Sequence, residues 1–251
     1  MLFGVEAPSG GTIIPQIGHF VLLSLGGIIY AVCGIIGFAL IKEKPASELP
    51  PKKTFGKQLR ESFNFGELSK QKNFFRILVA ATVYQTGIST VMAFLFIYLF
   101  RYYETVQLLI VILVGFACLF PITILLGKLA DKYGRKRFMP LIIAIVSVGY
   151  ILTYFVTWGG QINMILFLAL IPVVLVGLLG LDTIINAWAQ DTLPQGKRGT
   201  FYGVFNVVYT ISQVVGAFVG GLVAQFINLP GIFVAGGIFF LISIPLFLFV
   251  K

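Results

Sequence analysis

Seven stretches of about 20 residues or more run nearly free of charge, at 13–41, 74–100, 106–127, 138–158, 162–190, 201–226 and 231–250. At 1.5 Å of rise per residue, each is long enough to cross the ~30 Å of hydrocarbon in a bilayer as a helix. Helix is the form such a stretch must take, because lipid offers no partner to an open backbone amide. With 58% hydrophobic and 11% charged residues, the chain departs from a soluble domain, where about a quarter of residues are charged. It cannot hide this apolar surface in one aqueous core. The expected fold is an all-α membrane protein with seven transmembrane helices.

Charge sets the orientation. Of the 18 basic residues, all but Arg101 fall on one side of such a bundle. They run from Lys42 to Arg76 beside the first connection and from Lys128 to Arg137 at the third. Lys197 and Arg198 lie at the fifth, and Lys251 ends the chain. Cytoplasmic connections collect Lys and Arg. An odd number of helices then puts the N-terminus outside and the C-terminus in the cytoplasm, as a multi-pass protein of the cell membrane. The net charge of +9 follows from topology and calls for no nucleic acid. Its second reading is attraction of the basic face to anionic membrane lipids.

The chain divides into three parts. Residues 1–41 hold a lone N-terminal transmembrane helix. Residues 42–73 form a cytoplasmic linker, opened by Pro45, Pro50 and Pro51, which stop the helix. In it Phe55, Leu59, Phe63 and Phe65 recur at near-helical spacing among charges. That pattern fits a short amphipathic helix on the membrane surface, the alternative being an extended tether. Residues 74–251 form a six-helix bundle with brief outside turns at 101–104, 158–161 and 228–231.

Between the third and fourth apolar stretches the chain reads Gly127-Lys-Leu-Ala-Asp131-Lys132-Tyr-Gly134-Arg135-Lys136-Arg137. Gly127 is expected to let two helices approach, Asp131 to accept hydrogen bonds at a helix end, and Gly134 to turn the chain. This pattern, G-x-x-x-D-[RK]-x-G-R-[KR]-[KR], resembles the signature loop of the major facilitator superfamily of secondary transporters. A second stretch, Asp191 to Arg198 with Pro194 and Gly196 between, resembles that family's other cytoplasmic motif. The resemblance covers nearly the whole chain, but only about seven of the family's usual twelve helices.

It implies the C-terminal half of such a transporter plus the preceding helix. The alternative is a front half carrying one extra helix, where the signature is usually fullest. It also implies that Asp131, Arg135, Asp191 and Arg198 meet at the inner ends of neighbouring helices as a cytoplasmic gate. An arginine fork matches a carboxylate in geometry and charge. The same residues are open to a second reading as a permanent brace.

Asp182 is the one acid deep inside an apolar stretch. Nine residues from Asp191, it lies about 13.5 Å along a helix axis, near mid-membrane. An ionisable group at that depth is costly and points to function. Asp182 is thus a candidate proton- or cation-coupling site, or an anchor for a basic group of the solute. The alternative is an acid hydrogen-bonded to another helix.

Three rows of polar residues recur at helical spacing: Thr82, Gln85, Thr86 and Ser89; Asp182, Asn186 and Gln190; Asn206, Tyr209, Thr210 and Gln213. Spacings of three, four and seven put each row on one face. Such faces line a wet pathway for a small polar solute or bond between helices. Tyr84, beside Gln85, offers an aromatic wall to that pathway.

The chain has no G-x-x-x-x-G-K-[ST] phosphate loop, no His/Cys cluster suited to a metal and no nucleophile paired with a base. No cofactor, no metal and no enzyme activity are expected. The leading reading is a secondary active transporter, or part of one, working by alternating access. A second six-helix half or a second copy of the chain would complete it. The alternatives are a seven-helix receptor or sensor and a truncated fragment without transport of its own.

Overall fold

The structure is a computed structural model and describes residues 16–40, 71–160, 162–193 and 198–250. Two units emerge, 1–58 and 59–251. In the first, α1 (Gln16–Leu40) is a single helix of 25 residues. Most of the linker expected over 42–73, with the amphipathic segment expected at 55–65, lies outside the described residues, which resume at Gln71; Lys72 and Asn73 already belong to the next helix.

The second unit is a helical bundle. It comprises α2 (Lys72–Tyr102), α3 (Thr105–Tyr133), α4 (Arg135–Thr153), α5 (Met164–Leu175), α6 (Leu181–Asp191), α7 (Arg198–Phe226) and α8 (Gly231–Leu248). A 3₁₀ segment, Tyr154–Gly160, extends α4, and a π turn, Val176–Gly180, joins α5 to α6 as one span. No strand occurs among the described residues.

Six spans are long and apolar enough to cross a membrane: Lys72–Tyr102, Val106–Tyr133, Arg135–Thr157, Met164–Asp191, Arg198–Phe226 and Gly231–Leu248. The apolar part of α1 within the described residues, Ser24–Phe38, is shorter. Large apolar side chains point outward along these spans, among them Leu113, Phe120 and Ile124 of α3 and Val214 and Phe218 of α7. In water such a surface would be an aggregation site; in lipid it is the ordinary exterior. The chain is an all-α, multi-pass integral membrane protein.

Small residues set the packing. α2 runs through the centre and packs most extensively against α7 and α8, while α4 packs on α8 and α5 on α3 and α4. A Cβ on Gly216 of α7 would lie 2.4 Å from the Thr86 carbonyl oxygen, and one on Gly220 would lie 2.4 Å from that of Thr90. The α2 and α7 backbones therefore touch, as in other small-residue membrane interfaces. Gly236 and Gly237 do the same for α8, and the Ser147 hydroxyl of α4 donates to the Gly237 carbonyl at 2.7 Å.

Two helix starts are capped by side chains. At the start of α3, Glu104 and Gln107 form a reciprocal capping box, with Glu104 N–H donating to Gln107 Oε1 at 3.1 Å. Asn163 caps α5 by accepting from Leu166 N–H. Arg76 donates to the Phe249 carbonyl at 3.0 Å and ties the start of α2 to the end of α8.

Candidate functional site

The eleven residues read as a loop are nearly all helix. α3 continues to Tyr133, α4 starts at Arg135, and Gly134 alone turns the chain. Its φ of 85° is the one positive value among the described residues, a region that side chains with a Cβ adopt only with strain. Its carbonyl then accepts the N–H groups of Arg137 and Phe138 at 3.1 and 3.2 Å.

This turn points the Arg135 guanidinium at two acids. Nη1 donates to Asp191 Oδ2 at 2.6 Å and Nη2 to Asp131 Oδ1 at 3.3 Å. All three residues sit against their helix dipoles. Asp131 and Asp191 occupy the last turns of α3 and α6, and Arg135 the first turn of α4, each the unfavourable end for its charge. The fork offsets that conflict. The Asp131 and Asp191 side chains are 69% and 68% exposed, so each contact contributes only about 0.2–1 kcal/mol. The joint holds, and it parts at small cost.

Other residues of the signature stand apart from it. Lys132 lies 5.5 Å over the Tyr133 ring, while Lys136 and Arg137 are exposed. Arg198 opens α7, is exposed, and makes no ion pair with the described acids. Gly127 marks no close approach, because a Cβ there would meet nothing within 4 Å. The expectation that it brings two helices together is corrected: α3 presents Gly127 to open space, and the close contacts lie elsewhere in the bundle.

At mid-span, three helices meet around Asp182. It stands in the first turn of α6, half-buried, and accepts the Tyr209 hydroxyl of α7 on Oδ1. Asn186, one turn on, donates to the Asp182 carbonyl at 3.0 Å. Tyr84 of α2 is fully buried; its ring stacks on Phe240 at 4.7 Å and its hydroxyl donates to the Gly177 carbonyl at 2.5 Å. Tyr209 stacks on Phe205 at 5.3 Å, and Phe205 on Tyr202 at 6.1 Å. An acid thus lies beside an aromatic run along α7.

The polar rows do not all share one space. On α2, Gln85, Thr86 and Ser89 are buried. Thr86 bonds back to the Thr82 carbonyl at 2.9 Å, and Gln85 Nε2 reaches Ser89 Oγ at 3.5 Å. Gln85 Oε1 is buried without a partner among the described residues. Thr86 and Ser89 lie against Gly216, so this row serves the α2–α7 contact. On α7 the row splits. Tyr209 turns inward, while Asn206, Thr210 and Gln213 are exposed, with Thr210 bonded to the Asn206 carbonyl at 2.8 Å. Gln190 is exposed as well.

Sequence reasoning passed over two residues here. Tyr150 of α4, fully buried, donates to the Val174 carbonyl at 3.0 Å. Gly177, inside the π turn, accepts from Tyr84. The available signal was Pro172 followed by Gly177 and Gly180 in one apolar run, which marks an irregular helix.

A family model described as the Major Facilitator Superfamily matches residues 3–217 and, in a second overlapping match, residues 124–251. The chain belongs to the major facilitator superfamily. It is 29% identical over 171 residues to an uncharacterized MFS-type transporter, YdeE, of Escherichia coli; that match covers 65% of this chain and 41% of the relative. It is 30% identical over 131 residues to the multi-drug resistance efflux pump PmrA of Streptococcus pneumoniae, covering 50% of this chain and 30% of the pump. It is 28% identical over 113 residues to the tetracycline resistance protein, class H, of Pasteurella multocida, covering 44% of this chain and 26% of that protein. In each case the match spans less than half of the relative's own length. No solved structure matches the chain significantly.

Proposed function

We propose that this chain is the C-terminal part of a secondary transporter that moves a small polar solute by alternating access. Asp182 is its proton- or cation-coupling carboxyl. The observation that carries this reading is the meeting of Tyr84, Asp182, Asn186 and Tyr209 from three helices at mid-membrane. An acid held there by the Tyr209 hydroxyl, with Asn186 and an aromatic surface beside it, can exchange a proton or meet a basic group of the solute. The Arg135 fork serves as the gate below it, facing the cytoplasm. Its weak, water-exposed contacts suit a joint that must open in every cycle, and Asp131, Asp191 and Arg135 have no dipole reason to stand where they do.

The exposed row of Asn206, Thr210 and Gln213 supports the partial reading. A polar row facing lipid would be costly, so a second six-helix unit or a second copy of this chain is its natural cover. Two relatives, a multi-drug resistance efflux pump and a tetracycline resistance protein, fit a carrier of small solutes.

The test is uptake into proteoliposomes containing the 251-residue chain, with and without an imposed pH gradient. Tetracycline and a panel of small polar solutes are the first cargoes to try. Uptake driven by the gradient and abolished by Asp182→Asn is the expected result. Gradient-independent uptake that Asp182→Asn leaves intact rejects the coupling role.

A further inference from the structure

At mid-membrane the fifth span leaves regular helix. Pro172 has no N–H to give, so one carbonyl of the preceding turn loses its partner. Four residues later the chain widens into the π turn Val176–Gly180, closed by Leu181 N–H on the Val176 carbonyl. Such turns are rare and gather at functional sites. Each irregularity also leaves main-chain carbonyls with spare capacity at a depth where none is left bare without cost.

Two tyrosines reach carbonyls of this irregular stretch. Tyr84 reaches in from α2 to Gly177, and Tyr150 from α4 to Val174. Their rings close on Phe240 of α8 from two sides, one stacked at 4.7 Å and one edge-on at 4.7 Å. The glycines of the turn admit this crowd. A Cβ on Gly177 would lie 2.5 Å from Val146 and 2.9 Å from the Tyr150 ring, and one on Gly180 would lie 2.7 Å from Thr123 Oγ1. α2, α3 and α4 thus all bear on five residues, and Asp182 is the second residue beyond them.

We propose that Tyr84 and Tyr150 are positioning residues for Asp182. By holding carbonyls of the π turn and of the stretch before it, they fix the direction in which α6 leaves the turn, and so bring the carboxyl to the Tyr209 hydroxyl. A turn that rewound to α-helix would swing the carboxyl roughly a quarter of the way round the helix axis and off Tyr209. This assignment rests on the reading of Asp182 as the coupling carboxyl, which gives the contact its use.

The test is the infrared carboxyl band of Asp182 in the purified 251-residue chain held in lipid nanodiscs. The band is assigned by its loss in Asp182→Asn. Tyr209→Phe sets the displacement that follows loss of the hydroxyl bond. Tyr84→Phe and Tyr150→Phe each remove one hydroxyl that is bonded to a carbonyl and not to the acid, and keep the ring against Phe240. Both are expected to move the band in the same sense as Tyr209→Phe, with the Tyr84→Phe/Tyr150→Phe double variant reaching the Tyr209→Phe position. Tyr150 is the sharper probe, since its hydroxyl is bonded to Val174, whereas Tyr84 also lies within electrostatic reach of the acid. A band left at its native position in Tyr150→Phe overturns the proposal, and if that variant does not fold, an unmoved band in Tyr84→Phe does so. The band reads geometry without transport. Gradient-independent uptake therefore rejects the coupling role, while an unmoved band rejects the positioning.

Discussion

At the basic end of the bundle Arg135 grips two carboxylates that are both more than two-thirds exposed. About 13.5 Å deeper along the fifth span, Asp182 has a phenol partner, Asn186 one turn on and an aromatic run beside it. Both are carboxylates holding hydrogen-bond donors, but their surroundings reverse the energetics. Water screens the outer pair, so it is cheap to make and cheap to part. The inner acid is shielded from water, so loss of the Tyr209 hydroxyl removes one of its few partners at a depth where that is costly. The first setting suits a contact that parts, and the second a contact that holds.

The strongest challenge to this contrast is steric. Gly216→Leu drives a side chain into the α2 backbone beside the inner site and is expected to cost about 3 kcal/mol or more, read as lost folded yield or a large fall in melting temperature. Gly203→Leu, on the open face of the same helix, is expected to be near neutral. Equal effects would mean that the middle of the bundle is not the rigid part. Next comes Tyr209→Phe, which strands the acid and is expected to destabilise by about 1–3 kcal/mol. Purified Tyr209→Phe melting with the native protein would place Asp182 in water after all.

Gly134→Ala forces a residue with a Cβ into positive φ and is expected to cost about 1–2 kcal/mol, measured by thermal melting. The smallest stability effect is expected at the fork. Arg135→Ala and Asp191→Asn should each shift stability by no more than about 1 kcal/mol, and added salt should shrink that further, yet both should abolish transport. Unchanged transport with normal expression ends the gate reading and leaves a brace.

Much of this molecule could be read before any coordinates. The spans were legible because lipid tolerates only long apolar helices, and Gly134 because a reversal between two such helices demands a residue without a Cβ. Asp182 stood out as an acid in an apolar run. Its partner was less visible. Tyr209 shares a row with Asn206, Thr210 and Gln213, and ideal helical spacing does not say which edge of a row turns inward; contact with α2 decides that. Gly127 misled because a small residue permits an approach without requiring one. The π turn was hidden for a related reason. Pro172, Gly177 and Gly180 mark an irregular stretch, but the shape of Val176 to Gly180 depends on Tyr84, Tyr150 and Thr123, which lie far off in sequence.

The one-residue junction at Gly134 has a mechanical consequence. Two long rods joined by a single pivot have no slack, so any tilt of α3 is handed to α4 at its first residue. That residue is Arg135. The turn and the residue that grips both acids are neighbours in the chain, so a tilt of either helix would load the Arg135 contacts first.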